Sequence, residues 1–266
     1  MTAAPFEHIR YEKHQGIARL TLARPQQLNA LSRPLLGEFI AALDDVRDSG
    51  DARVLLISGE GRGFSSGADL SSGGSPAGGE NFDAGQVIQD YYNPLIERMF
   101  ALPVPIVASV QGPAAGAGCM IALAADITVA ARAAYFLQAF ANVGLIPDAG
   151  SMWLLPRLVG RARAQAMMML AERIPAEKAL DWGLIYDVVD EEQLGARTEE
   201  IVAKLVVGPT RSYALIRQGV RAALEQPLSE ALAMERRAQF EAGNSTDFRE
   251  GVAAFREKRK PVFQGR

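Results

Sequence analysis

The sequence predicts an α/β fold, in which short buried strands alternate with helices. Apolar runs of strand length stand at 54–58, 105–110 and 127–130, and continuous runs of this kind are typical of strands that are buried on both faces. A glycine-rich loop follows each of the first two runs, at 59–67 and 112–118. Segments with helical spacing separate the strands, and this alternation indicates the α/β class.

A strand and a helix are predicted near the N-terminus. Residues 16–22 alternate between apolar and polar side chains, except for Ile17, and predict a strand. A polar turn at 24–32 leads into a helix, because Ser32 can cap its start and Pro34 fits its first turn. The helix prediction also rests on apolar residues at helical spacing: Leu35, Leu36, Phe39, Ile40 and Leu43.

The later part of the chain is mainly helical in pattern. Residues 87–102 and 120–125 predict helices, and most of the sequence from 161 onward does so as well. Residues 71–85 are rich in serine and glycine, a composition that is typical of mobile segments. We expect the C-terminal helices to form an appendage to the α/β core.

Composition and charge exclude several classes of partner. The 266 residues carry a formal net charge of −3, which gives no electrostatic reason to expect a nucleic acid. With one cysteine, Cys119, and two histidines near the start, His8 and His14, a metal site is not expected. No apolar stretch approaches the roughly 20 residues of a membrane span. We therefore expect a cytoplasmic protein without a membrane partner.

The two glycine-rich loops are the first candidates for a functional site. Residues 64–70 follow one buried strand, and residues 112–118 follow another and open a helix. Small residues allow a ligand to approach the backbone closely, and a helix N-terminus adds free N–H groups. Two such loops could direct two N–H donors at one oxygen and form an oxyanion hole. Either loop alone is also explained as an ordinary turn, and neither contains a dinucleotide-binding or Walker motif.

Taken together and in this order, several segments resemble the crotonase (enoyl-CoA hydratase/isomerase) family. The resemblance extends through nearly the whole chain and rests on these segments: 24–25 with 28–31, 64–70, 112–118 with 126–127, 144–150, 179–183, and 248–251 with Phe255, Lys258 and Arg259. It implies a core of repeated ββα units over residues 1–200, and a C-terminal helical region at 201–266 that serves in trimer assembly. It also implies that the backbone N–H groups of Ala68 and Ala117 form the oxyanion hole.

The departures from the family pattern concern proton transfer. Hydratases of the family usually carry two glutamates, and the matching positions here are Met120 and Phe140. Addition of water needs groups that activate water and deliver a proton, so hydration is disfavoured. In isolation Asp148 is better explained as a turn residue, but the resemblance favours a catalytic role, because isomerases of the family can carry their acid at this position. The segment from 144 to 157 resembles the ring-opening isomerases of phenylacetate catabolism.

The resemblance also implies which residues bind the substrate. Coenzyme A is expected to contact a set of residues from the first loops and the C-terminus: Arg24, Leu28, Ser66, Ala68, Asp69, Leu70 and Lys260. It is part of the acyl-CoA substrate, so no separate cofactor is expected. The favoured function is an acyl-CoA isomerase, acting on 1,2-epoxyphenylacetyl-CoA or an unsaturated acyl-CoA and assembled as a homotrimer or a dimer of trimers. An enoyl-CoA hydratase and a catalytically silent acyl-CoA-binding protein remain as alternatives.

Overall fold

The structure, a computed structural model, describes residues 6–71 and 83–266. The main sheet has the strand order β1-β2-β3-β4-β6-β9, with β1 antiparallel to β2 and the other neighbours parallel. Its strands are β1 (Ile9–His14), β2 (Ile17–Leu22), β3 (Val54–Gly59), β4 (Ile106–Val110), β6 (Ile127–Ala131) and β9 (Asp187–Val189). The predicted α/β class is therefore confirmed.

A second, smaller sheet lies beside the first. It has the order β5-β7-β8, in which β5 is parallel to β7 and β7 is antiparallel to β8. Its strands are β5 (Ala114–Ala115), β7 (Tyr135–Leu137) and β8 (Ile174–Pro175). This small sheet fixes the loop after β4, because β5 is part of that loop.

Helices cover the sheets and continue to the C-terminus. Their bounds are α1 (Arg33–Ser49), α2 (Ala84–Val87), α3 (Asn93–Ala101), α4 (Gly116–Leu123), α5 (Ser151–Leu170), α6 (Ala176–Asp181), α7 (Glu191–Val206), α8 (Thr210–Ala223), α9 (Leu228–Gly243) and α10 (Thr246–Glu257). As predicted, Ser32 caps α1, since its hydroxyl accepts from the N–H of Leu35. None of the helices in the two described ranges is both long and apolar enough to cross a membrane.

Strand β3 separates two layers of the core. Leu55 and Ile57 pack on the side of α1, whereas Val54 and Leu56 pack on the opposite side with residues of α7. Successive side chains of a strand point to opposite faces, so an unbroken apolar run is what a strand with a helix on each face requires. This explains why 54–58 lacks the alternation of a half-exposed strand.

Several boundaries differ from those predicted from the sequence. Strand β1 was not predicted, and the predicted helix at 87–102 is α2 and α3 joined by a π-helical segment, Ile88–Tyr92. Helix α4 begins at Gly116 rather than at residue 120. The division expected between residues 200 and 201 falls within α7. Of the segment at 71–85 that was expected to be mobile, residues 72–82 lie outside the described residues.

The C-terminal segment folds back onto the start of α10. The buried carboxylate of Asp247 accepts from the N–H groups of Gln264 and Gly265 at 2.6 and 2.9 Å. Arg53 donates to the C=O of Phe263 at 3.1 Å. The end of the chain is therefore held next to Arg53, which directly precedes β3.

Candidate active site

The two glycine-rich loops meet at one edge of the main sheet. They follow β3 and β4, which are adjacent parallel strands, so their carboxyl ends lie side by side. Ser65 and Ala114 form a parallel bridge, in which the N–H of Ala115 donates to the C=O of Ser65 at 2.9 Å. The N–H of Phe64 donates to the C=O of Pro113 at 3.0 Å. The prediction that these loops form one site is supported by this direct contact.

Glycine is required where the loops touch. Gly67 has a φ of +87°, and a Cβ atom there would lie 2.7 Å from the C=O oxygen of Ala115 and 3.5 Å from the Cα of Gly116. A side chain at this position would be strained and would push the loops apart. On the other loop, a Cβ on Gly118 would lie 2.5 Å from the side chain of Ser65. Close approach of the two loops therefore requires glycine directly before Ala68 and directly after Ala117.

The N–H groups of Ala68 and Ala117 remain available at this contact. The C=O of Gly67 accepts from Leu31 at 2.8 Å and the N–H of Asp69 donates to Leu31 at 3.3 Å, so the intervening N–H of Ala68 points away from Leu31. Within the described ranges it has no acceptor. Ala117 lies in the first turn of α4, where N–H groups have no partner within the helix. Both donors can thus serve a ligand.

An ion pair holds the Ala68 loop in place. Arg24 Nη1 donates to Asp69 Oδ2 at 2.8 Å and to the C=O of Ala30 at 2.6 Å. The Arg24 guanidinium contributes, after the hydroxyl of Ser71, to holding the pKa of the Asp69 carboxyl below its usual range. Both residues were predicted to contact coenzyme A. In the structure their charged groups bind each other and join the segment that contains Ala30 to the residue after Ala68.

Asn29 supports the same loop, a role that was not predicted from the sequence. Its side chain is fully buried and donates to the C=O groups of Glu60 and Gly63, each at 2.9 Å, while its Oδ1 accepts from the N–H of Arg24. Asn29 also has a φ of +54°, and asparagine tolerates this left-handed conformation better than most residues. The Leu-Asn-Ala-Leu pattern was noted for its resemblance only, without this structural reason.

The other residues predicted to bind coenzyme A divide into two groups. Leu28 is half-buried, and its C=O accepts from the N–H of Ser66 at 2.9 Å; Ser66 and Leu70 are exposed at the rim of the same loops. Lys260 is not brought to them within one chain. Its segment packs near Arg53, at the opposite end of β3, and a six-residue strand spans about 20 Å.

Asp148 lies in the turn that leads into α5. Its C=O accepts from the N–H of Ser151 at 2.9 Å and from the Ser151 hydroxyl at 2.6 Å. Its Oδ1 atom is buried and has no hydrogen-bond partner within the described residues. Burial raises the pKa of the Asp148 carboxyl from 3.8 to about 6, although a hydrogen bond from its own backbone lowers it slightly. A partly desolvated carboxylate with this pKa is suited to proton transfer near neutral pH.

Tyr92 and two apolar residues surround this region. Tyr92 is buried, and its pKa is raised by desolvation and then by the negative charges of Asp148 and Asp69, so the phenol lies within the electrostatic range of both carboxylates. Met120 and Phe140 are buried. The Phe140 ring would lie 3.7 Å from a Cβ on Gly116. Apolar side chains therefore occupy the two positions where family hydratases carry glutamate.

A buried polar pair next to Asp148 was not identified from the sequence. Gln138 and Ser151 are fully buried, and the Ser151 hydroxyl lies 3.1 Å from Gln138 Oε1. Gln138 Nε2 lies 3.4 Å from Met120 Sδ. The pair joins residues that are 13 positions apart in the chain, and no local pattern predicts a contact of this kind.

Comparisons with known proteins agree with this geometry. The chain matches the family described as enoyl-CoA hydratase/isomerase over residues 12–266. It is 44% identical to a probable enoyl-CoA hydratase of Rhodobacter capsulatus, and 41% identical to the 1,2-epoxyphenylacetyl-CoA isomerase of Escherichia coli K12. Each alignment covers 98% of this chain and 99% of the relative. The crystal structure of an enoyl-CoA hydratase from Bacillus anthracis superposes with a TM-score of 0.91 at 29% identity, covering 98% of this chain and 100% of that one. The chain belongs to the enoyl-CoA hydratase/isomerase, or crotonase, family.

Proposed function

We propose that this protein is an acyl-CoA isomerase in which Asp148 moves a proton within the substrate. The observation that carries the proposal is which side chains occupy positions 120, 140 and 148, where members of the family carry their proton-transferring groups. The Oδ1 atom of Asp148 is buried without a hydrogen-bond partner among the described residues, and the pKa of the carboxyl is about 6, whereas Met120 and Phe140 cannot transfer protons. Of these three positions, only that of Asp148 therefore carries a group for acid/base work.

The mechanism requires no group beyond the substrate and the protein. The Asp148 carboxylate removes a proton from the carbon next to the thioester carbonyl of a 3-enoyl-CoA, and the C–H electron pair moves into the thioester to give a dienolate. The N–H groups of Ala68 and Ala117 donate to the dienolate oxygen, and each contact of this type contributes about 3 kcal/mol. The Asp148 carboxylic acid then returns the proton to the far end of the dienolate, so the double bond becomes conjugated.

The proposed substrate class is an unsaturated or ring-epoxidised acyl-CoA. The relative in Escherichia coli is named an isomerase of 1,2-epoxyphenylacetyl-CoA, which favours an aryl or otherwise bulky acyl group. Coenzyme A would lie along the rim residues Leu28, Ser66 and Leu70. Cys119 is buried and free, and we place the protein in the cytoplasm, where a lone thiol stays reduced.

Hydration is the second candidate, because the relative in Rhodobacter capsulatus is named a probable hydratase. In that case Asp148 would have to activate water and also deliver a proton, without the two glutamates that hydratases use. A water molecule would have to be held against Met120 and Phe140, which offer it no strong hydrogen bond. We therefore expect isomerisation of a 3-enoyl-CoA to exceed hydration of crotonyl-CoA at least about tenfold, or roughly 1.4 kcal/mol of barrier.

One experiment separates isomerase, hydratase and silent binding protein. Both rates are measured for the wild-type protein and for Asp148→Asn, and acyl-CoA binding is measured by calorimetry. We expect the variant to lose at least about a thousandfold in isomerisation and to bind with unchanged affinity, since asparagine keeps the shape but cannot act as a base. Rapid hydration without isomerisation would instead identify a hydratase. Binding without any turnover by the wild type would identify a silent protein.

A further inference from the structure

A buried chain of polar contacts connects the Met120 position with the backbone of Asp148. It runs from Met120 Sδ to the Gln138 amide at 3.4 Å, from that amide to the Ser151 hydroxyl at 3.1 Å, and from the hydroxyl to the Asp148 C=O at 2.6 Å. Gln138 and Ser151 are both fully buried. Burial of polar groups destabilises the fold unless they are hydrogen-bonded. These contacts therefore constrain the positions of both side chains.

The turn that carries Asp148 needs such support. Ala149 and Gly150 have φ values of +49° and +78°, and a non-glycine residue in the left-handed region costs about 1 kcal/mol or more. Since no described residue donates a hydrogen bond to Asp148 Oδ1, that end of the carboxylate is not fixed by a direct partner. Its position depends on the backbone of the turn, which Ser151 holds through its N–H and its hydroxyl.

We propose that Gln138 and Ser151 are positioning residues for the Asp148 carboxylate. This inference rests on the proposed function, in which Asp148 is the acid/base. Ser151 holds the Asp148 carbonyl through its N–H and through its single hydroxyl hydrogen, since this carbonyl is the nearer of the two acceptors. Gln138 packs against the Ser151 hydroxyl and so limits its position. Neither residue has to touch the substrate.

The identity of residue 120 supports this role for Gln138. The thioether of Met120 is a weak acceptor, so it does not compete strongly for the Gln138 amide. A carboxylate at position 120 would accept a charge-assisted hydrogen bond from the same amide, and such bonds are about twice as strong as neutral ones. With methionine at position 120, the Gln138 amide contacts the Met120 thioether, the Cys119 thiol and the Ser151 hydroxyl, and no carboxylate draws it away from Ser151.

The test uses Ser151→Ala and, in case that variant folds poorly, Gln138→Met, which keeps the side-chain length but removes the amide. The matched control is Ser245→Ala, which removes a hydroxyl from the start of α10, far along the chain from Asp148. Turnover of a 3-enoyl-CoA is measured against pH, together with KM and thermal stability. Among the described residues, Tyr92 lies within the electrostatic range of both Asp148 and Asp69, and Cys119 is hydrogen-bonded to Gln138; none of these residues except Gln138 is changed in the variants.

We expect kcat of Ser151→Ala to fall at least about tenfold with KM changed by less than about twofold, since misplacement of a catalytic group lowers the rate of chemistry. The acidic limb of the pH profile should move to lower pH, because a loosened turn admits water and reduces the desolvation of the carboxylate. Gln138→Met should show the same changes to a smaller degree. The Ser245→Ala control should lose stability but keep the wild-type profile.

Two results would overturn the inference. The first is a wild-type kcat in both variants. The second is a lower kcat with an unchanged pH profile, in which the decrease in kcat parallels the loss of stability; this is what a merely structural residue would show. Asp148→Asn in the same assay separates this failure from failure of the proposed function. An inactive Asp148→Asn beside unaffected Ser151→Ala and Gln138→Met variants would refute only the positioning role, whereas a fully active Asp148→Asn would refute both.

Discussion

Replacement of Asp148 by asparagine should stabilise the protein at neutral pH while it removes the activity. The carboxylate is partly buried, its Oδ1 has no hydrogen-bond partner in the described part of the chain, and its pKa is raised from 3.8 to about 6. Ionisation is therefore less favourable in the folded protein than in the unfolded chain. Asparagine has a similar shape and does not ionise, so the variant avoids this cost.

The size of the effect follows from the two pKa values. Each tenfold change in an ionisation constant corresponds to about 1.4 kcal/mol, so the rise from 3.8 to about 6 corresponds to about 3 kcal/mol. Between these pH values the folded protein binds more protons than the unfolded chain, and its stability falls as the pH rises. The cost is absent below about pH 3 and complete above about pH 7.

The assay is the difference in unfolding free energy between Asp148→Asn and the wild type, measured from pH 4 to pH 8. Other carboxylates affect both proteins equally, so their contributions cancel in the difference. We expect the advantage of the variant to grow by about 2–3 kcal/mol across this range, or roughly 5–10 °C in melting temperature for a chain of this size. A difference that does not change with pH would refute the argument from burial.

Asp69→Asn provides a control of the opposite sign. The pKa of Asp69 is lowered by its hydrogen bond from Ser71 and by Arg24, so its ionised form stabilises the fold above the unfolded pKa and this stabilisation is lost as the pH falls through the folded pKa. We expect Asp69→Asn to be less stable than the wild type at pH 7. If both variants changed stability in the same direction, loss of a charge alone would be the simpler explanation.

Two further predictions concern the oxyanion hole and the assembly. Gly67→Ala should lower kcat at least about a hundredfold while the protein stays folded. Its Cβ would lie 2.7 Å from the Ala115 oxygen and would displace the N–H of Ala68, which then loses its contact with the enolate. Gly50→Ala is the matched control and should keep wild-type kinetics, because Gly50 also has a positive φ, of +66°, but has nothing within 4 Å. The family resemblance also implies a homotrimer or a dimer of trimers, and α8 and α9 offer a surface for such an assembly, since they border a cavity of about 670 Å³ and expose large apolar side chains. These side chains are Ile216, Val220, Leu224, Leu228 and Leu232. A monomer by light scattering at micromolar concentration would contradict this, and Val220→Asp should shift the wild-type assembly towards the monomer.

The fold class was predictable because it depends on short-range patterns. The apolar run at 54–58 and the cap of α1 at Ser32 both appear in the structure as β3 and α1. Strand β1 was not predicted, since Ile9–His14 has only one buried residue and alternates exposed with half-exposed side chains. It forms by pairing with β2 along its whole length, and a partner strand is not visible in a local pattern.

The candidate site was predictable where it depends on backbone, and less so where it depends on side-chain contacts. Glycines after strands indicated the two loops, and the loops meet because β3 and β4 are neighbours. The sequence could not show that Arg24 pairs with Asp69, or that Gln138 reaches Ser151. These contacts depend on how distant segments of the chain pack. Arginine, aspartate, glutamine and serine are mostly exposed in proteins, so their presence in the sequence does not indicate a buried contact.

The burial that destabilises Asp148 also makes it suitable as the proton carrier. A carboxylate with its ordinary pKa of 3.8 would be ionised at pH 7 but a weak base towards a carbon acid. With a pKa of about 6, the Asp148 carboxyl is still ionised in about nine-tenths of the molecules at pH 7, and the carboxylate is a stronger base than one with a pKa of 3.8. The same apolar surroundings weaken competition by water and strengthen the N–H contacts from Ala68 and Ala117 to the enolate oxygen. A wetter site, with a glutamate at position 120 or 140, would lower the basicity of Asp148 and supply a water for addition. The apolar residues at those positions thus favour return of the proton to the substrate over addition of water.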